Sequence, residues 1–361
     1  MNQRERFHAL MHGEVADELC QFEAGYWGET LERWYGEGLP RGTQPWDHFG
    51  ITWYEHVPIA YGIWPCFQVE VLSEDAETLT YRDEAGVLAR RRKDGHSMPH
   101  FLDFPVKTRG DFERLKERLD PTDPTRYPTD WADHVARWKT RDHILVVGNV
   151  AASFFGWPRS LMGAENLLLA YYDDPDLIHA ICDYHLQFIK VLFEKALQGA
   201  EFDFAFVWED MSYRNGPLIS PAMFREFMLP HYLEMTDYFH SFGIELCIVD
   251  SDGNVEHLIP CFVEGGINGI LPCEVAAGMD VRAVRETYPD LRLLGGVDKR
   301  AVAKGPAAID EELERRMAGM FSPPLYLPGV DHHIPPDVSL SNFSYYLERA
   351  RDLYARQVRS R

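Results

Sequence analysis

FDFAFVWED (202–210), PAMFREFMLPHYLEMTDYFHSFG (221–243) and IELCIVDSD (244–252) set the architecture of this chain. The outer two are apolar runs of strand length that stop at acids, and the middle one carries apolar residues at helical spacing. Strand, helix, strand is a βαβ unit, whose strands lie parallel because the helix carries the chain back. The same rhythm continues outward. Upstream, ILVVGN (144–149) precedes the helical stretch 166–199. Downstream, INGILPCE (267–274), LRLLGGVD (291–298) and LYLPGVD (325–331) alternate with VEHLIPCFVEGG, VRAVRETYP and IDEELERRMAGMF, and NFSYYLERARDLYARQ closes the chain. At least six strands of this kind in 361 residues favour an α/β fold closed as a (β/α)8 TIM barrel. An open doubly wound sheet is the alternative, but no GxGxxG follows any strand.

The first third is less regular. QFEAGYW (21–27) reads as a short strand. From residue 66 to 95, strand-like runs are separated by the turn-formers SEDAE and DEAG. That pattern predicts a three-stranded antiparallel meander, an N-terminal insertion or lid on a single barrel domain spanning 1–361. The net charge of −21 (36 Lys and Arg against 57 Asp and Glu) weighs against nucleic acid and anionic membranes, which are bound by neutralising phosphate with Lys and Arg. It also weighs against a large polyanionic substrate. The six cysteines, Cys20, Cys66, Cys182, Cys247, Cys261 and Cys273, form no CxxC pair and read as reduced thiols of a cytoplasmic protein. MNQRERFHALMHGE is polar, with no signal-peptide core, and no run approaches the roughly 18 uninterrupted apolar residues of a membrane span.

The strand ends are almost all acidic or imidazole: Asn149, Glu209–Asp210, Asp250 and Asp252, Glu274, Asp298–Lys299, and Asp331–His332–His333, with Glu23 after the first strand. In a barrel these ends ring one mouth, where catalytic groups sit. An acid after a strand is also a common helix N-cap or turn residue. Asp298, before KRAVAKG, fits a cap, and Asp337 a turn. Asp250 and Asp252 resist that reading, because strand alternation aims both the same way and one cap needs one side chain. Two close carboxylates repel unless a cation sits between them or one keeps its proton. Carboxylates with imidazole suit Zn²⁺, Mn²⁺ or Fe²⁺, zinc being the favoured ion. Asp250, Asp252, Glu274 and His332 are the candidate ligands, with His333 in competition with His332. Glu209, Asp250 and Asp252 are the candidate catalytic groups. Glu23, Tyr26, Trp27, Asn149 and Trp208 are candidates for binding substrate. Ordinary core packing is the competing reading for the aromatics, Trp34, Trp64, Phe155 and Trp157 among them.

WEDMSYRNGPLISPAMFREFMLP, DSDGN, GGVDKRAV and PGVDHHIPPDVSLSNF, between Phe202 and Tyr346, resemble the uroporphyrinogen decarboxylase superfamily. ETLERWYGEGLP and FPVKTRGDFERL are similar to its less characterised members. The resemblance implies a (β/α)8 barrel and one of two chemistries. The decarboxylases carry an RQAGR-type signature whose arginines bind substrate carboxylates. Here FEAGY stands in its place, with Phe22 and Tyr26 where the arginines would be. The corrinoid-linked methyltransferases bind zinc through a His-x-Cys pair and a later Cys. Those positions fall on Asp250–Asp252 and near Val330–His333, so oxygen and imidazole replace thiolate. The resemblance therefore points to a metal-dependent methyltransferase that demethylates a small O- or N-methylated substrate and passes the methyl to a corrinoid protein. A decarboxylase with one carboxylic acid as proton donor is the first alternative. A non-catalytic binding protein on a degenerate barrel is the second.

Overall fold

The computed structural model describes residues 1–93 and 98–359. Its main sheet has seven parallel strands, neighbours in space in chain order: β1 (Tyr54–His56), β2 (Ile144–Asn149), β3 (Phe204–Trp208), β4 (Cys247–Asp250), β5 (Gly269–Leu271), β6 (Arg292–Val297) and β7 (Tyr326–Val330). Ile144–Val147, Phe204–Val207 and Cys247–Val249 are all buried, as expected of strands covered on both faces. Each fully buried Val, Leu, Ile or Phe contributes about 1.5–3 kcal/mol. The helices between strands cover the outer face. The longest, Pro175–Gly199, starts at Asp174, whose side chain accepts from the Leu177 N–H, with proline in the first turn. Among the described residues no helix is long and apolar enough to cross a membrane.

The sheet curls until both edges meet the segment Gln21–Glu23. Phe22 bridges Thr52, just ahead of β1, in parallel, and the N–H of Val330 in β7 donates to Glu23 at 2.9 Å. Only isolated bridges at Phe22 and Tyr26 form here, not the strand expected over 21–27. Gly25 interrupts the pairing with a φ of 151°.

Between β1 and β2 the chain forms a separate antiparallel sheet of four strands, Glu70–Glu74, Thr78–Arg82, Leu88–Arg92 and His100–Asp103. The expected meander had three. The fourth, HFLD, is short and follows Pro99, so it carries little alternation to read. Positions 94–95 of the predicted 66–95 insertion lie outside the described residues.

Candidate active site

Because the strands are parallel, their C-terminal ends share one side of the sheet. They bring together His56 after Tyr54 in β1, Trp208–Asp210 after β3, Asp250 and Asp252 at β4, Glu274 after β5, Lys299 after β6 and Asp331–His333 after β7.

Asp250 is the centre of the charge. It ends β4 and keeps partial exposure. Among the described residues no hydrogen bond reaches its carboxyl group. Loss of solvation pushes its pKa well above the usual carboxyl range, and repulsion from Asp252 and Asp210 adds to the shift, partly opposed by His332. The proton is therefore retained to higher pH than on an ordinary aspartate. Tyr54 is close enough for the Asp250 charge, after burial, to help raise its phenol pKa. Its ring stacks between Phe22, at 5.0 Å, and Phe206, at 6.2 Å. His56 meets the edge of Phe206 at 5.6 Å, and burial pushes its imidazole down to about 4, so it is neutral at physiological pH. Sequence reasoning missed Tyr54 and His56, because a three-residue strand offers no periodicity to read.

A second group spans β4 and β7. His332 Nε2 lies 3.1 Å from Asp252 Oδ2. The Trp27 ring, 40% exposed, stacks on His332 at 6.3 Å and meets His333 edge-on at 5.8 Å. Trp27, His332 and His333 thus pack together as one aromatic cluster. His333 packs directly on the backbone of Gly25, where a Cβ would lie 2.8 Å from its Nε2. Only glycine fits there. Gly253 has the same constraint, since a Cβ would lie 2.5 Å from the Ser212 carbonyl at a φ of 82°.

A third group binds the remaining strand ends. Glu274 accepts from the Gly253 N–H at 3.0 Å and from Lys299 Nζ at 3.3 Å. Asp331 is fully buried and accepts from the N–H groups of Val275, at 2.9 Å, and Lys299, at 3.0 Å. Burial raises its pKa, against the Lys299 charge and these donors. The expected ligand set, Asp250, Asp252, Glu274 and His332, is not gathered. Among the described residues no three His, Cys, Asp or Glu side chains stand as a group able to hold a metal ion. Glu274 is turned to Lys299 and Gly253, and Asp252 to His332. These residues as placed do not fit a divalent ion.

Other expected site residues serve the scaffold. Glu209, read as an acid/base or substrate contact, is fully buried. It accepts from the N–H groups of Phe154 (2.9 Å), Phe155 (2.7 Å) and Gly156 (2.8 Å), and from the Tyr232 hydroxyl. It therefore braces the start of the helix Gly156–Met162 and turns away from the mouth. Glu23 is buried and accepts from Val330 and, at 3.0 Å, from the Tyr346 hydroxyl. Burial pushes it up to about 8, against those two hydrogen bonds. Tyr26 lies in the core against Trp34 (5.4 Å) and Phe343 (6.0 Å). Asn149 caps the turn Val150–Ala152 through its side chain, at a φ of 70°. Trp208 is covered by the Arg159 guanidinium, 5.0 Å from the ring centroid, and that guanidinium bonds Asp210 at 2.5 Å. Asp298 caps the helix Lys299–Lys304, as its sequence context predicts.

The family model described as uroporphyrinogen decarboxylase (URO-D) matches residues 85–353. No curated protein matches the chain. Among solved structures, the chain is similar to a methyltransferase from Methanosarcina mazei at a TM-score of 0.62 and 16% identity, covering 98% of this chain and 99% of that one.

Proposed function

This chain belongs to the uroporphyrinogen decarboxylase (URO-D) family, and from that premise we propose that it is a methyltransferase, demethylating a small O- or N-methylated compound and passing the methyl group to a corrinoid protein. In this reading the whole chain, 1–361, is one (β/α)8 barrel. Gln21–Glu23 serves as its eighth strand, and the antiparallel sheet before β2 as a lid over the mouth.

The observation that carries the reading is the carboxyl group of Asp250, which sits at the mouth and holds its proton above the usual range. Breaking a methyl–oxygen or methyl–nitrogen bond needs the leaving atom to be neutralised as it takes the electron pair. Asp250 gives its proton to that atom and becomes a carboxylate, and the methyl leaves without the pair. The corrinoid on a partner protein would supply the electron pair that accepts it. Asp252, paired with His332, sits beside Asp250 and raises its proton affinity. Trp27, His332 and His333 give the donor a flat wall. The full-length likeness to a methyltransferase supports this reaction class.

The same Asp250 favours one other reading, a decarboxylase in which its proton reaches the carbanion left by carbon dioxide. A substrate with many carboxylates weighs against it. Arg159 is already bonded to Asp210, and Lys299 to Glu274 and Asp331. Phe22 is buried, and Tyr26 is packed in the core.

The test is a panel of methoxy-aromatic and methylamine donors incubated with the protein and free cob(I)alamin, followed by the absorbance of methylcobalamin. Methyl transfer that drops at least about a hundredfold in Asp250→Asn is the expected result. No transfer from any donor, together with carbon dioxide release from a carboxylated substrate, would replace this reading with the second.

A further inference from the structure

We propose that the ammonium of Lys299 is the resident cation of this mouth, occupying the place beside Glu274 and Asp331 that a divalent ion would need, so that the strand-end acids are held together without a metal. Lys299 Nζ lies 3.3 Å from Glu274 Oε1 and 3.6 Å from Asp331 Oδ1. Its side chain is only 19% exposed, so solvent screens these contacts weakly. The lysine cannot easily be elsewhere. It opens the helix Lys299–Lys304, whose cap, Asp298, is itself gripped by Arg300. The backbone N–H of Lys299 bonds the same Asp331 oxygen at 3.0 Å, which ties the root of the side chain to its partner.

Every carboxylate oxygen of the two acids already accepts a hydrogen bond, and the ammonium stands between them. Asp331 gives one oxygen to Lys299 and the other to the Val275 N–H. Glu274 gives one to Lys299 and the other to the Gly253 N–H. These bonds link the ends of β4, β5, β6 and β7 in one chain, Gly253 to Glu274 to Lys299 to Asp331. An ion bound to Glu274 at the usual distance of about 2 Å would have to displace the ammonium or lie against its charge. The inference concerns the charge of the mouth and stands whichever reaction the mouth performs.

The experiment is a titration of chelator-dialysed full-length protein with Zn²⁺ against a chromophoric competitor. The parent is compared with Glu274→Gln, Lys299→Met and the double variant, and thermal unfolding checks that each is folded. The expected parent binds no zinc that Glu274→Gln removes. Lys299→Met is expected to gain one equivalent that the parent lacks, because a positive charge has left the site. The double variant should lose it again. A Glu274-dependent zinc in the parent, or a folded Lys299→Met that gains none, would overturn the proposal. If Lys299→Met does not fold, the parent and Glu274→Gln still decide: equal zinc in the two supports the resident ammonium.

Discussion

His332 reaches from the end of β7 to the turn after β4 and places Nε2 3.1 Å from Oδ2 of Asp252. The contact joins strand ends 80 residues apart in sequence. Both partners keep some exposure, 26% and 39%, so the pair adds less than about 1 kcal/mol to stability. Its effect is on the imidazole. The hydrogen bond to Asp252 raises the His332 pKa, against the burial that lowers it. The stabilisation is thus fully present below the ordinary imidazole pKa and is lost as pH rises through the raised value. In Asp252→Asn the His332 titration, followed by NMR of the imidazole protons, should move back down. An unchanged titration would mean the pair does not form in solution.

Asp250 predicts the pH dependence of turnover. As a proton donor with a raised pKa it is active while protonated, so kcat should fall as pH rises through that value. Asp250→Asn should lower kcat at least about a hundredfold and abolish this limb of the profile. Asp252→Asn removes one of the two repelling carboxylates and should shift the limb to lower pH. A limb that stays in place in Asp252→Asn would remove Asp250 from the role.

Glu209 makes the opposite prediction. Replacing it with Ala leaves three backbone N–H groups and the Tyr232 hydroxyl buried without their acceptor. The expected loss is roughly 3 kcal/mol or more, read as a lower urea midpoint. If Glu209 were instead the catalytic acid, Glu209→Ala would keep its stability and lose only turnover.

The contrast between Asp250 and Glu209 shows how far the sequence could be read. Both are acids ending apolar runs, and the strand rhythm located both correctly, because buried parallel strands give long apolar stretches with helices between. Asp252 and His332 are both legible as strand-end residues, and they meet because their strands end on the same side of the sheet, but they pair with each other and not through a metal ion. What the sequence could not tell is which way an acid turns. Asp210 adopts a φ of 43°, and the side chain of Glu209 lies back under the helix Gly156–Met162. No local pattern marks such a turn at a non-glycine residue. Lys299 starts a helix, as KRAVAKG predicts, but its ammonium meets Glu274 and Asp331, acids 25 and 32 residues away in sequence. His56 and Tyr54 lay in a stretch too short to show alternation.

Glu23 gives a stability test that is independent of any reaction. Burial raises its pKa from 4.5 to about 8, partly offset by the Val330 N–H and the Tyr346 hydroxyl. Below pH 4.5 the folded and unfolded chains both carry the proton, and this group gives no pH dependence. Between 4.5 and about 8 the unfolded chain ionises while the folded chain keeps its proton, so stability falls with rising pH across that window and levels off above it. Glu23→Gln has the same shape and no proton to lose, so its unfolding free energy should fall less steeply between pH 5 and 8. A gain over the parent of about 1 kcal/mol or more at pH 8, after alignment at pH 5, is the expected size. Parallel curves for the two proteins would mean that Glu23 is already ionised where it joins β7 to the final helix.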